Sequence, residues 1–128
     1  MNHFRISEAV PSQNTTDREH WTDTRKRRKR YDTQIALAIV LKYRKKERNG
    51  MLSSPKDMLV TIHSQRKRLI LDDANLRGGA KGLVDAIASI GLIYDDADEF
   101  CTIEYTQVAG KEYKEYFTEI TIEKRGVS

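Results

Sequence analysis

The sequence predicts an α+β fold, in which a single domain packs one mixed β-sheet against two main helices. Segments that alternate between apolar and polar residues indicate strands, and two long segments with apolar residues at helical spacing indicate helices. They follow one another as strand, helix, strand, helix, strand, strand. The length of 128 residues suits one domain, because a chain of this size buries one core but not two. We therefore treat residues 1–128 as a single domain.

The chain begins with a short predicted strand and a loop. Residues 3–10 alternate loosely between apolar and polar side chains, which allows a first strand or arm within residues 1–10. Pro11 and the polar run over 12–16 then predict a loop. A helix follows the loop, and Asp17 or a preceding Thr is its candidate N-cap.

The first predicted helix runs to about Lys46 through a stretch without Gly or Pro. The basic run Arg25–Arg30 is too dense to be buried and must cover much of the helix surface in water. The break at 49–55, which contains Asn-Gly and Ser-Ser-Pro, is expected to end this helix. The apolar residues on its predicted buried face are Tyr31, Ile35, Ala38 and Ile39.

A β-rich stretch and a second helix come next. Met58–Ile62 predicts a strand that extends as far as His63. The helix is predicted from Asn75 or Leu76 through Ile90, because apolar residues recur at helical spacing in spite of three glycines. Gly91 is well placed to end it, since glycine readily adopts the left-handed conformation that closes many helices.

Two further strands complete the predicted sheet. Cys101–Tyr105 and Tyr116–Glu123 both alternate, and Ala109-Gly110 lies between them, which predicts a hairpin with a loop longer than the tightest kind. Cys101 is expected to be a small buried hydrophobe. Residues 124–128 are expected to form a frayed tail.

Charge is distributed unevenly along the chain, although the net charge is only +4. Residues 25–48 contain eleven Lys or Arg and two acids, whereas residues 95–123 contain nine acids and two lysines. This asymmetry predicts a polyanion partner, and nucleic acid fits because Lys and Arg contacts to phosphates dominate its binding. A solvated helix face without a partner is the alternative. The candidate DNA contacts in the basic runs are Arg25, Lys26, Arg27, Arg28, Lys29, Arg30, Arg66, Lys67 and Arg68.

Composition excludes several classes of protein. The lone Cys101 rules out an internal disulfide and a zinc site built from cysteines, and the three scattered histidines lack ligand spacing. No apolar stretch approaches the roughly 20 residues that span a bilayer, and the first residues lack the apolar run of a signal peptide. We therefore expect a cytoplasmic protein without a membrane partner. His20 and Trp21 could reach DNA, but a single Trp is more often a core residue, so Trp21 is expected in the core and His20 stays undecided.

Two acidic turns flank the second predicted helix. Asp72-Asp73 precedes the helix, and Asp95-Asp96 follows a short apolar segment after it. If the chain doubles back toward the start of the helix, the turns converge, and their oxygens suit Mg²⁺, which prefers a few carboxylates plus water. A nearby Lys would then neutralise charge that develops on a phosphate. The alternative is that Asp72 and Asp73 only cap the helix and stabilise its first turn.

The stretch Leu71–Ile87, followed by Gly91–Asp96, resembles the signature of the RusA family of Holliday-junction resolvases. That signature has an Asp-x-Asp-Asn element, a Lys, an Asp-Ala-Leu-like element and, after a Gly, a closing Asp-Asp. Gly78-Gly79 resembles a two-residue insertion found in phage-borne members. Upstream, Pro11–Asn14 and His20-Trp21 are similar to the family's Pro-Ser-x-Asn and Trp elements. The ordered set spans roughly residues 10 to 100 of the chain.

The resemblance implies a RusA-like fold and a dimeric Mg²⁺-dependent endonuclease, with Mn²⁺ as a substitute ion. Such an enzyme resolves four-way or branched DNA junctions in recombination and repair, here as a phage or prophage protein in a bacterial host. The residues that the resemblance assigns are Asp72, Lys81 and Asp96 for catalysis, Asp72, Asp73 and Asp96 for the metal, and Asn14 and Asn75 for DNA.

One position departs from the family pattern, because the second catalytic Asp falls on Ala74, which has no ligand atom. Three accounts are open: a natural degenerate member, a variant made inactive on purpose, or a member that uses Asp73 or Asp95 instead. Two other functions also stay open. The chain is either a junction-binding protein without cleavage or an unrelated basic interaction module.

Overall fold

The computed structural model describes residues 2–42 and 56–125, which build a four-stranded mixed sheet and three helices. The predicted α+β fold class is confirmed. None of the described helices is both long and apolar enough to cross a membrane. In chain order the elements are β1 (Asn2–Ile6), α1 (Gln13–Arg18), α2 (Trp21–Lys42), β2 (Met58–Arg66), α3 (Asp73–Ser89), β3 (Cys101–Ala109) and β4 (Phe117–Lys124).

The strands lie in the order β1-β4-β2-β3, so the predicted hairpin between the last two strands is wrong. β2 and β3 are parallel, with Met58 opposite Cys101, and β4 is antiparallel to both β2 and β1. Together β2, α3 and β3 form a crossover unit, in which the helix returns the chain to a parallel position beside β2. β4 then pairs with the other edge of β2. Alternation predicts strands but does not show which strands pair.

One face of the sheet packs against α2 and α3 and forms the core. Every second residue of the central strands is buried, as the alternation predicts. Tyr31 and Ile35 of α2 and Leu83 and Ile87 of α3 pack into the same cluster. The predicted buried face of the first long helix is therefore confirmed at Tyr31 and Ile35. Cys101 is buried there too, as expected.

The polar run over 12–16 belongs to a helix, so the predicted loop is wrong. Ser12 is the N-cap of α1, and its Oγ accepts a hydrogen bond from the backbone N–H of Thr15 at 3.2 Å. Ser is favoured at this position because its oxygen satisfies an N–H that has no partner inside the helix. Six polar residues thereby form a short helix without burying any of their own side chains.

The long basic helix is interrupted near its predicted start. Helix α1 ends before Glu19, and α2 begins at Trp21, where Nδ1 of His20 accepts the backbone N–H of Thr22 at 3.2 Å. The single helix predicted from Asp17 is therefore two helices. Its predicted end near 46 and the break at 49–55 lie outside the described residues.

Helix α3 starts two residues before the predicted Asn75 and is the element on which α1 rests. A Cβ added to Gly79 would lie 1.8 Å from the carbonyl oxygen of Pro11, so only glycine allows this close approach. Gly91 has a φ of 89°, which confirms its predicted role at the end of the helix.

Three chain segments extend or replace predicted elements. β2 continues past His63 to Arg66, and residues 91–100 form turns before β3 begins. The predicted frayed tail is wrong at its start, because Lys124 ends β4 and Arg125 donates to the carbonyl oxygens of Asp98 and Glu99 at 2.8 and 2.9 Å. The rest of the predicted tail lies outside the described residues.

Candidate functional site

Both residues of the first acidic turn, Asp72 and Asp73, make contacts within the first turns of α3. Asp72 is the N-cap, and its Oδ1 accepts the backbone N–H of Ala74 at 2.9 Å. Asp73 forms an ion pair with Arg77 one turn later, at 2.7 Å between Oδ2 and Nε. Arg77 also lies over the ring of Tyr105, 4.9 Å from its centre. The capping alternative is thus present in the structure, although both carboxylates remain exposed to solvent.

The second acidic turn lies beside Lys81 of α3. The Nζ of Lys81 is 3.7 Å from Oδ2 of Asp96 and 3.6 Å from Oδ1 of Asp85, which is its partner one turn along the helix. Asp96 in turn donates its backbone N–H to Oδ1 of Asp95 at 2.7 Å. Of the three residues that the resemblance assigns to catalysis, Lys81 and Asp96 are therefore close together.

The carboxyl group of Asp96 sits among like charges. A hydrogen bond with Asp95, partial burial and the negative charges of Asp95 and Asp85 raise its pKa above the usual value, and Lys81 opposes this shift. Such a carboxylate gains from a nearby cation, because a positive charge would relieve the repulsion.

A cleft of about 620 Å³ contains this pair, between α3 and the edge strand β3. Arg77 and Lys81 line it from the helix, and Asp96, Asp98 and Tyr105 line it from the other side. The cleft therefore joins carboxylates to cationic side chains in an open depression. This is the arrangement that a bound phosphodiester would need if its charge were to be balanced during reaction.

The three carboxylates predicted to bind metal do not form one cluster. Asp72 lines a different cleft from Asp96. Lys81 follows Asp72 by nine positions, a rise of roughly 13 Å along the helix. Across residues 2–42 and 56–125, no group of three or more His, Cys, Asp or Glu side chains is placed to hold a metal ion. Asp72, Asp73 and Asp96 form no such group as placed here, and their assignment to a metal ion stays a prediction.

The basic run of α2 is only partly free. Glu19 accepts two hydrogen bonds from Arg27, of which the one from Nη1 to Oε1 measures 2.7 Å. This bidentate contact lowers the pKa of Glu19 and raises that of Arg27. Arg30 is paired in the same bidentate way with Glu8, at 2.8 and 2.9 Å, whereas Arg28 makes a single contact with Asp32 at 3.2 Å.

Arg25, Lys26 and Lys29 are the predicted DNA contacts on α2 that remain available. They are exposed and form no ion pair with another described residue. Arg27 and Arg28, by contrast, are half-buried. The predicted basic face is thus smaller than the sequence indicates, because folding brings Glu8 and Glu19 against it.

A second cleft, of about 370 Å³, separates α2 from α3. Its walls carry Arg25, Arg27 and Arg28 from α2 and Lys81 from α3, together with the glycine-rich face of that helix. Lys81 lines this cleft and the cleft of Asp96. The two depressions therefore meet at one lysine.

The second predicted basic run, Arg66–Arg68, lines a third cleft, separate from the two described above. Arg66 is half-buried and donates to the carbonyl oxygens of Val10 and Arg68, both at 2.7 Å. Burial lowers the pKa of its guanidinium group. Arg66 thus holds the chain in place, whereas Lys67 and Arg68 are exposed. All three line an open cleft that also contains Asp72.

Asn14 and Asn75, the two predicted DNA-binding asparagines, are neighbours. The Oδ1 of Asn75 accepts the backbone N–H of Asn14 at 3.2 Å, which ties α1 to α3. Both residues line the cleft of Asp72 and the basic turn. Their contact shows a structural role and leaves the side chain of Asn14 exposed to solvent.

Trp21 was expected in the core, and that prediction is wrong. It is 62% exposed at the start of α2. Its sequence context already contained the signal, since it is followed at once by polar residues and precedes the basic run. Arg77 and Tyr105 are further cleft residues that sequence reasoning did not select.

Comparison with known proteins gives no assignment: no family model matches the chain, and no curated protein matches it. The resemblance to RusA-type resolvases therefore rests on the pattern of residues alone.

Proposed function

We propose that this chain binds branched DNA and hydrolyses a phosphodiester bond with Mg²⁺, for which Mn²⁺ substitutes. The proposal takes four-way junctions as the substrate and a symmetric homodimer as the active form. A two-fold dimer suits a junction in which two strands are cut. The resemblance to the RusA signature supports this choice of substrate. It also supports the proposal that the chain is a phage or prophage protein that acts in the bacterial cytoplasm.

The position of Lys81 is the observation that carries the proposal. It lines both the arginine-rich cleft of α2 and the cleft that contains Asp96. A phosphate backbone held by the free cations of α2 would therefore reach the Lys81–Asp96 pair without leaving the positively charged surface. Lys81 would stabilise negative charge on the phosphate. Asp96 would help to hold the Mg²⁺, which would supply positive charge to the same phosphate.

The metal part of the proposal is restricted by the separation of the two acidic turns. Mg²⁺ usually keeps several water ligands and needs only one or two carboxylates. Asp96 and the adjacent Asp95 meet that minimum, and Asp96 lies beside Lys81, whereas Asp72 lines a different cleft. We therefore propose Asp95 and Asp96 as the ligand pair and no direct part for Asp72 at the same ion.

The first experiment is cleavage of a labelled four-way junction in Mg²⁺ or Mn²⁺. We expect paired symmetric nicks from the natural chain, and their loss in Asp96→Asn and Lys81→Gln. Lys111→Gln is the matched control, because it removes one exposed positive charge from a residue that lines none of the clefts described above. Cleavage that survives in both Asp96→Asn and Lys81→Gln would refute the assignment of this cleft.

Junction binding without cleavage is the second candidate function, and Ala74 favours it. The position expected to carry a carboxylate has none, and Asp72 beside it is already hydrogen-bonded to the backbone of Ala74. If only Ala74→Asp cuts the junction, the chain is a binding protein that has lost its catalytic carboxylate. If neither version cuts and the junction binds no better than linear duplex, both functions are wrong and a basic interaction module remains.

A further inference from the structure

Trp21 is the most unusual exposed side chain on the basic side of the molecule. It is the only tryptophan of the chain and is 62% exposed. A large aromatic ring in water costs free energy unless something covers it, since burying apolar surface is favourable. The position therefore calls for a ligand that offers a flat apolar face.

Two neighbours hold the indole in position without covering it. The ring of His20 lies 5.4 Å from it, centre to centre, at an angle of 34°. His20 is itself fixed, because its Nδ1 contacts Oγ1 of Thr22 at 2.7 Å. Arg25 follows at the i+4 position on the same helical face, with its guanidinium carbon 5.3 Å from the centre of the indole. The ring is thus oriented yet accessible.

Exposed cations precede and follow the indole along the chain, and of these Arg25 is the one in contact with the ring. Arg25 and Lys26 are exposed and form no ion pair with another described residue, and the same holds for Arg18 at the end of α1. Arg25 also lines the cleft between α2 and α3 with Arg28 and Lys81. A phosphate held by Arg25 would therefore have an aromatic face directly beside it.

The surroundings do not favour a protein partner. A protein–protein hot spot centres on an aromatic anchor within an apolar patch from which water is excluded. Trp21 has Thr24 and Arg25 as its helical neighbours, and the next large exposed apolar residue on α2 is Leu37, roughly 24 Å further along the axis. Along the described part of α2, the indole is therefore separate from any other large exposed apolar side chain.

We propose that Trp21 is a stacking platform for an unpaired nucleobase of DNA, and that Arg25 binds the phosphate next to that base. The choice of DNA as ligand rests on the proposed function above. Aromatic side chains bind bases in this way without sequence preference, because every base has a π-face. A branch point interrupts the stacking of neighbouring base pairs, so a base is opened onto the indole more easily there than within a continuous duplex, whose bases are stacked on one another.

The experiment uses the fluorescence of Trp21, which reports on this site alone because the chain has no other tryptophan. The whole protein is titrated with single-stranded oligothymidylate and with a blunt continuous duplex. We expect oligothymidylate to quench the emission and the duplex to quench it little. Trp21→Ala should weaken oligothymidylate binding roughly 5- to 100-fold, measured by anisotropy of labelled DNA, and Trp21→Phe should retain most of the affinity.

Leu37→Ala is the matched control, because it removes an exposed apolar side chain of the same helix roughly 18 Å along the axis from Arg25. Unchanged emission with oligothymidylate, or equal affinity of Trp21→Ala and the natural chain, would overturn the platform. So would emission that changes with protein concentration in the absence of DNA, since the indole would then lie between copies of the chain.

The outcome is separable from that of the proposed function. Quenching by oligothymidylate without any preference for a four-way junction over duplex would refute junction recognition and leave the platform standing. Junction binding and cleavage that do not depend on Trp21 would do the reverse.

Discussion

Gly79→Ala tests the packing of α1 against α3 and therefore the geometry of the whole candidate site. The added Cβ would lie 1.8 Å from the carbonyl oxygen of Pro11 and 2.8 Å from the carbonyl carbon of Ser12. Both contacts are with backbone, so α1 must move away as a unit. Gly82→Ala on the same helix is the matched control, because the nearest atom to its added Cβ is 3.9 Å away on the Tyr31 ring.

The two substitutions should change the free energy of unfolding in opposite directions. Overpacking of this kind costs about 1–3 kcal/mol, which exceeds the roughly 1 kcal/mol that alanine gains over glycine inside a helix. Gly79→Ala should therefore lower the free energy of unfolding, whereas Gly82→Ala should raise it by up to about 1 kcal/mol. Gly78→Ala should fall between them, because its clash is with the rotatable side chain of Gln13.

Urea denaturation followed by circular dichroism measures these differences. A gap of about 2 kcal/mol between the variants corresponds to midpoints separated by on the order of 1 M urea, for a slope of about 2 kcal/mol per molar. If Gly79→Ala is as stable as Gly82→Ala, α1 does not pack closely against α3. The shapes of the clefts that residues of both helices line would then be wrong.

Three further predictions follow from single contacts. Asp72→Asn should leave the free energy of unfolding almost unchanged, while Asp72→Ala should lower it by about 1 kcal/mol, because Asn caps a helix as well as Asp does. Glu19→Gln should destabilise the protein at pH 7, because Arg27 lowers the pKa of Glu19 and the charged pair stabilises the folded state. The difference in urea midpoint between the two proteins should shrink below about pH 4.5, because protonation of the Glu19 carboxylate removes the pair. Tyr31→Phe should raise the free energy of unfolding by about 1 kcal/mol, because the buried Tyr31 hydroxyl has no hydrogen-bond partner among the described residues. A free energy of unfolding below that of the unsubstituted chain would reveal a partner for this hydroxyl.

Local patterns in the sequence were sufficient for the secondary-structure elements that bury an apolar face. The faces of α2 at Tyr31 and Ile35, the helix from Asp73 to Ser89 and its end at Gly91 all agree with helical spacing and glycine chemistry. These features depend on residues within a few turns of one another. The short helix α1 escaped prediction because it buries no side chain of its own and is defined by a cap.

The sequence by itself determined the fold class and the separation of basic and acidic segments along the chain. Only the tertiary structure decided which strands are neighbours, which arginines of α2 are neutralised by Glu8 and Glu19, and that Trp21 faces water. It also placed Asp72 and Asp96 in separate clefts. The physical reason is that helical and strand periodicity are local, whereas strand pairing, ion pairs across elements and the meeting of two acidic turns depend on contacts between residues far apart in the chain.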